Sequence, residues 1–414
     1  MNIIKIPDET RYIINILETN GHEAFVVGGC VRDSLLGKEP QDWDICTSGL
    51  PEQIMKYFSE HHIHIIETGL RHGTVTLMLN HKPFEITTYR ADGVYTDNRR
   101  PDSVEFVGDL KKDLSRRDFT VNAMAYNPKT GVMDFFDGIK DLNAGIIKCV
   151  GDADKRFQED ALRIMRAMRF ASVLGFSIES DTSKAMRENK NLLNNISAER
   201  IANELNRLIV GNGVKNILSE HMAVITEIIP EILPIIDSEW QNILTGLENI
   251  QPDIILRLAM LFPDHDTAGK ILRRLKYDNY TVRAVTQLIL YYDSDIQPER
   301  INIKRWLNKI GEERFRQLLE VKKADNKAQA ISRTWEKFEM LNDIEFLLNE
   351  IIEQRQCFSL KDLAVNGRDL IDIGAVEGRQ TGAILNQLLN MVIDEKIENG
   401  KTVLLETAEG LLKL

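Results

Sequence analysis

The sequence predicts an α+β fold in which a small mixed sheet comes first and helices follow to the end. Two observations carry this. Up to about residue 145, short β-rich runs alternate with helical ones; beyond about residue 152 the strand signals stop and amphipathic helical spacing takes over. In order, AFVVGG predicts a strand entering a tight turn, VRDSLLG a helix, WDICTS a strand and PEQIMKYFSEH a helix. HIHIIET, GTVTLML and PFEITTYR predict three further strands. QEDALRIMRAMRFASVLG, SAERIANELNRLIV and HMAVITEIIPEIL then predict helices. No repeat or low-complexity linker interrupts the helical part.

A chain of 414 residues with 43% hydrophobic and 28% charged residues is expected to form several soluble domains with ample core. No apolar stretch is long enough to span a bilayer, and the N-terminus lacks the pattern of a secretory signal. Cys30, Cys46, Cys149 and Cys357 show neither metal nor disulfide spacing, so a reducing, cytoplasmic setting is expected. The net charge of −11 argues against nucleic acid as a partner only on average, since binding needs a local basic face.

The segment GGCVRDSLLGKEPQDWDICTS carries the chemistry. Gly28 and Gly29 let the backbone turn sharply and bring N–H groups close to a triphosphate. Arg32 follows in the first helical turn, where its fork fits phosphate oxygens. Asp42 and Asp44 are two apart, so on a strand both carboxylates face one side, and paired hard oxygen ligands suit Mg²⁺. Glu85, in PFEITTYR, is the third carboxylate if its strand pairs beside the first. Two metals about 3.5–4 Å apart would clamp the attacking and leaving oxygens of a phosphoryl displacement. An Asp-x-Asp pair alone is usually a solvated turn; the strand, Gly-Gly, Arg and Asp-x-Asp in succession are far more specific.

These motifs resemble the nucleotidyltransferase head of the DNA polymerase β superfamily, and more narrowly the class II tRNA nucleotidyltransferases (CCA-adding enzymes) and bacterial poly(A) polymerases. The likeness continues through GLRHGTVTL, YRADGVYTDNRRPDSVEF, LSRRDFTVNAMAY and EDALRIMRAMRFA, thins after about residue 210, and recurs near LKDLAVNGRDLI. It implies a head over residues 1–145, a neck carrying the nucleotide-selecting helix over 146–210, a body over 211–325 and a tRNA-binding tail over 326–414. It implies as catalytic residues Asp42, Asp44 and Glu85, with Arg117 on the incoming nucleotide and Asp118 on the ribose.

The stretch from Glu159 to Ala171, placed on one helix, puts Ala161, Ile164, Met165, Met168 and Ala171 on one side and Arg163, Arg166 and Arg169 on the other. The plain reading is an amphipathic helix with a solvated Asp160–Arg163 pair. The sharper one is a base reader. Cytosine and adenine both offer an amino donor beside a ring acceptor, matching an Asp acceptor and Arg donor; guanine and uracil would leave buried groups unpaired. The resemblance implies that role for Asp160 and Arg163, with Arg166 and Arg169 completing the nucleotide contacts. The three arginines, with Lys155 and Arg156 upstream, also form the expected basic face.

Among relatives, CC-adding enzymes are described as lacking a flexible loop before the Arg-Arg-Asp segment. Here ADGVYTDNRRPDSVEF supplies one, with Gly93, Asp97, Asn98 and Pro101 fitting a mobile connection. CCA addition, transferring CMP, CMP and AMP from CTP and ATP to the tRNA 3′ end, is therefore the first expectation. An A-adding enzyme or poly(A) polymerase is the second, and an RNA-binding protein with a dead head is the reading of another class. The oligomeric state is left open. His62 and His64, which would share a strand face, and His265-Asp266 fall short of a metal set, since no histidine follows His265. Trp43, Trp240, Trp306 and Trp335 are expected in the core rather than as stacking platforms.

Overall fold

The computed structural model describes residues 4–93, 103–328 and 334–413. Asp97, Asn98 and Pro101 therefore lie outside the described residues. The chain divides into two compact units, Met1–Leu233 with Arg274–Lys276, and Pro234–Arg273 with Tyr277–Leu414.

The first unit opens with helix α1 (Asp8–Thr19) and strand β1 (Ala24–Val27), followed by α2 (Gly29–Leu35) and β2 (Ile45–Thr47). Helix α3 (Pro51–Glu60) leads to β3 (His64–Gly69), β4 (Thr74–Leu79) and β5 (Lys82–Thr88). The hairpin β6 (Arg90–Asp92) and β7 (Val104–Phe106) brings the two ends of the 94–102 connection together, and Gly93 N–H donates to the Ser103 carbonyl at 2.9 Å. After α4 (Leu110–Ser115) come β8 (Met124–Asn127) and β9 (Gly131–Asp134). The sheet order is β3-β4-β5-β2-β1-β8-β9, with β2 and β5 parallel and every other pair antiparallel. All four β1 residues are buried, because α1 and α2 pack on this strand while Phe25 and Val27 join a cluster with Cys46, Tyr89, Leu110, Leu114 and Ala125.

The expected mixed sheet is present, with differences at its edges. Strand β2 starts at Ile45, so Asp42 and Asp44 occupy the segment just before it rather than the strand itself. His62 has φ +56° in the turn before β3, so it does not share a strand face with His64. The strands β8 and β9 gave no alternation signal; MAYN is buried throughout, which hides its period.

Helices α5 (Gly138–Ala144), α6 (Ala153–Glu159), α7 (Leu162–Leu174), α8 (Ser180–Asn189), α9 (Ala198–Ile209), α10 (Val214–Glu220) and α11 (Met222–Ile228) complete this unit. Strands are not wholly absent beyond residue 152: Ile146–Ile147 and Ser177–Ile178 form a small parallel pair. The single helix expected over 159–171 is two helices. Asp160 has φ −137° and ψ 101°, breaking α6 from α7, and its Oδ1 accepts the Leu162 N–H at 3.1 Å, starting the new helix.

The second unit is helical in all its described elements. Its core includes Trp240, Phe315 and Leu318, and a separate cluster near the C-terminus gathers Leu370, Leu388, Leu404 and Ala408. Trp240 is buried as expected and Trp306 stacks on Phe315 with ring centroids 6.3 Å apart, whereas Trp335 is exposed.

Candidate active site

The Gly28–Gly29 turn, the Asp42–Asp44 approach and the Arg117 segment meet at the end of β1. Gly28 has φ +83°, a conformation that side chains strain to adopt, and its amide donates to the Met124 carbonyl at 3.1 Å. A Cβ at Gly28 would lie 3.1 Å from Arg117 Nη1. Glycine thus provides both the turn and room for the arginine. The Val27 N–H donates to the Asp44 carbonyl at 3.0 Å, fixing Asp44 beside this turn.

The parallel register of β2 and β5 pairs Ile45 with Ile86, so Asp44 and Glu85 precede paired positions. The condition attached to the third carboxylate, that its strand lie beside the first, is met. Desolvation by the surrounding protein raises the Asp44 carboxyl above its ordinary pKa; Glu85 and Asp42 add to this, and Arg117 opposes it. Mutually repelling carboxylates are what a bound cation relieves, and the donor set is hard oxygen, which fits Mg²⁺. Among the described residues no three His, Cys, Asp or Glu side chains converge as a ready-made metal site. Carboxylates completed by phosphate oxygens and water are a donor set that Mg²⁺ accepts.

The expected basic face is not an open row of cations. Arg166 donates to Asp118 Oδ2 through Nε at 2.9 Å and Nη2 at 2.5 Å. Arg169 Nε donates to Glu204 Oε2 at 2.5 Å, and Arg163 Nη1 to Glu159 Oε2 at 2.6 Å. Arg32 Nη1 donates to Asn122 Oδ1 at 2.6 Å while its Nε donates to Asp33 Oδ1 at 2.8 Å. Each of these guanidiniums has a carboxylate partner; Asp33 and Glu159 are near in sequence, whereas Asp118 and Glu204 are ones that local spacing does not reveal. Burial would push the Asp118 carboxyl up, yet the Arg166 guanidinium, the Asn122 amide and nearby Arg163 hold it at about 2. Asp118 Oδ1 already accepts the Phe119 N–H at 2.8 Å and Asn122 Nδ2 at 3.2 Å. Asp118 is therefore an anchor for Arg166 with both oxygens occupied, rather than a free ribose acceptor.

Asp160 and Arg163 flank the α6–α7 corner, where the Arg163 N–H donates to the Asp160 carbonyl at 3.0 Å. Asp160 Oδ2 lies 3.3 Å from Arg200 Nη2. Arg163 also donates to the carbonyls of Arg156 (3.1 Å) and Arg116 (3.0 Å), tying the corner to the Arg116–Asp118 segment. Sequence reasoning missed Asn122, Phe170, Arg200 and Glu204. All four stand inside segments already singled out, and their roles come from partners remote in the chain.

Comparison with known proteins finds three family matches along the chain. Residues 24–148 match the poly A polymerase head domain family. Residues 175–238 match the probable RNA and SrmB-binding site of polymerase A, and residues 251–408 a putative domain 2 of tRNA nucleotidyltransferase. The CCA-adding enzyme of Ligilactobacillus salivarius is 36% identical, with 100% of this chain and 99% of that protein covered. The chain belongs to the CCA-adding enzyme family. A second relative, the CCA-adding enzyme of Limosilactobacillus reuteri, is 35% identical with 100% of both chains covered. Among solved structures, the Bacillus stearothermophilus CCA-adding enzyme in complex with CTP superposes with a TM-score of 0.74 at 30% identity, covering 99% of this chain and 98% of that one. The Thermotoga maritima CCA-adding enzyme complexed with tRNA shares the fold, with a TM-score of 0.65 at 20% identity and 99% and 97% covered. The chain is a nucleotidyltransferase, as its family implies, and no helix among the described residues is long and apolar enough to cross a membrane.

Proposed function

We propose that this CCA-adding enzyme transfers CMP, CMP and AMP from CTP and ATP to the 3′ end of tRNA, releasing pyrophosphate, through the residues assembled around Gly28. The observation that carries the assignment is Asp44 bonded beside the Gly28 turn, Arg117 packed against that turn, and Glu85 on the strand paired with β2. Asp42 and Asp44 hold Mg²⁺, with Glu85 as the adjoining carboxylate. The bound metal supplies activation of the attacking hydroxyl and charge compensation for the leaving pyrophosphate. The Gly28 and Gly29 backbone and Arg32 orient the triphosphate, and Arg117 reaches the incoming nucleotide beside Asp44. Asp160 and Arg163 read the amino donor and ring acceptor that cytosine and adenine share, while Arg166 and Arg169 complete the nucleotide pocket.

Residues 1–145 serve as the catalytic head, 146–210 as the neck bearing the selecting corner, 211–325 as the body and 326–414 as the tail that holds tRNA. The four cysteines are free and buried, which suits action in the reducing cytoplasm. The deciding experiment supplies tRNA lacking CCA with CTP, and tRNA ending in CC with ATP. Incorporation in both reactions is expected. Failure with CTP would leave an A-adding enzyme; failure with ATP, a CC-adding one.

A further inference from the structure

We propose that Phe170 is a positioning residue for nucleotide binding, a ring against which three site arginines are held in register. Its ring has the Arg169 guanidinium at 3.7 Å from its centroid, Arg32 at 5.1 Å and Arg166 at 5.3 Å. Arg32 comes from α2, and the other two from the helix carrying Phe170 itself. The ring is buried and is fixed edge-on by Phe119, with centroids 5.8 Å apart and planes at 78°. Phe119 immediately follows Asp118, the partner of Arg166. One aromatic pair therefore joins the triphosphate arginine, the two neck arginines and the Arg116–Asp118 segment.

Three cations around one ring repel each other; Arg32 and Arg166 are each held through two N–H groups, whereas Arg169, the one nearest the ring, is held by Glu204 through Nε. The negative face of an aromatic ring attracts a guanidinium and lets it lie flat, so its N–H edge points outward. A leucine or methionine fills the volume and supplies no such face. Phe170 touches no substrate in this reading and acts through Arg169, Arg166 and Arg32.

The inference rests on the proposed nucleotide roles of those arginines, and the test separates the two. Steady-state KM and kcat for CTP and ATP are measured for Phe170→Leu, Phe170→Met and Phe170→Tyr, with tRNA KM and circular dichroism alongside. Expected is a rise of about tenfold in nucleotide KM for the leucine and methionine variants, with kcat and tRNA KM within about threefold and tyrosine near wild type. Phe170→Met carries the test where the leucine variant loses helix content. Arg169→Gln alone is expected to raise nucleotide KM, and its combination with Phe170→Leu to raise it little further. An unaffected Arg169→Gln variant would sink the arginine assignment. A raised KM in Arg169→Gln with normal KM in Phe170→Leu and Phe170→Met, or fully multiplicative effects in the double variant, would overturn the positioning role while leaving the arginine assignment intact.

Discussion

Replacing Asp118 with Asn tests the arginine side of the site most directly. The carboxylate is buried, and its pKa is held at about 2 against an ordinary value of 3.8. A difference of 3.8 − 2 corresponds to about 2 kcal/mol of folding stability. A carboxylate with a depressed pKa contributes fully above its unfolded value, so this stability is present above about pH 4 and is lost as pH falls through 2. Asp118→Asn keeps the shape and removes the nearer counter-ion of Arg166, leaving Glu204 Oε1 at 4.0 Å. Removing one partner of a fully buried pair costs about 3–5 kcal/mol. The Arg166 side chain is 34% exposed, so water offsets part of this, and about 2 kcal/mol is expected. Urea unfolding followed by circular dichroism, at pH 7 and at steps down to pH 2.5, gives the difference between the two proteins. It should be largest at neutral pH and shrink below about pH 4. A difference that stays constant from pH 7 to 2.5 would refute the ion-pair origin of the low pKa.

Gly28→Ala combines a φ of +83° with a Cβ 3.1 Å from Arg117 Nη1, so a cost of about 1–2 kcal/mol and a rise of at least tenfold in nucleotide KM are expected, read by thermal melting and steady-state kinetics. Asp42→Ala should abolish incorporation while tRNA affinity, measured by filter binding, stays within about twofold; retained turnover would refute the metal role. Asp160→Ala combined with Arg163→Ala should relax nucleotide choice, and unchanged rejection of UTP and GTP would exclude the base-edge reading. His221 is buried with neither ring nitrogen hydrogen-bonded among the described residues, and burial, with Arg187 nearby, lowers its pKa from 6.5 to about 4. The unfolded chain therefore binds this proton first, and stability falls by about 3 kcal/mol as pH drops from 6.5 to 4. A His221→Leu variant should lose that slope in urea titrations.

What the sequence made legible follows the range of the forces involved. The Gly28 turn, Asp42, Asp44 and the helix after them are set by neighbours in the chain, and they stand close to where spacing puts them. Glu85 depended on which strands pair; a parallel β2–β5 register brings it into line with Asp44, and nothing in PFEITTYR alone specifies that neighbour. The arginine face was misread because periodicity sorts residues by side and knows nothing of partners. Asp118 and Glu204 lie 48 and 35 residues from the arginines they hold. The break at Asp160 left a signal, an Asp two residues before a helical run, but the apolar period on both sides masked it.

That break changes the physical account of base selection. On one continuous helix, Asp160 and Arg163 would be a rigid pair set by helical register. At the corner the backbone still ties them, the Arg163 N–H donating to the Asp160 carbonyl at 3.0 Å, while the Asp160 side chain meets the Leu162 N–H and Arg200 and the Arg163 side chain meets Glu159 and two carbonyls. Under the proposed role, a base edge would gain bonds by exchanging partners already present, not by filling an empty slot. In the proposed base-edge role, discrimination would come from the cost of leaving a displaced partner unpaired when guanine or uracil offers the wrong group, the kind of penalty that rejects more strongly than lost attraction. Arg163 also bonds the Arg116 carbonyl, next to the arginine proposed to meet the nucleotide, so the reading edge and Arg117 are held by one short backbone segment. The proposed seating of a nucleotide at Arg117 and presentation of its base to Arg163 would thus be geometrically linked, which suits an enzyme that must test two different bases at one edge.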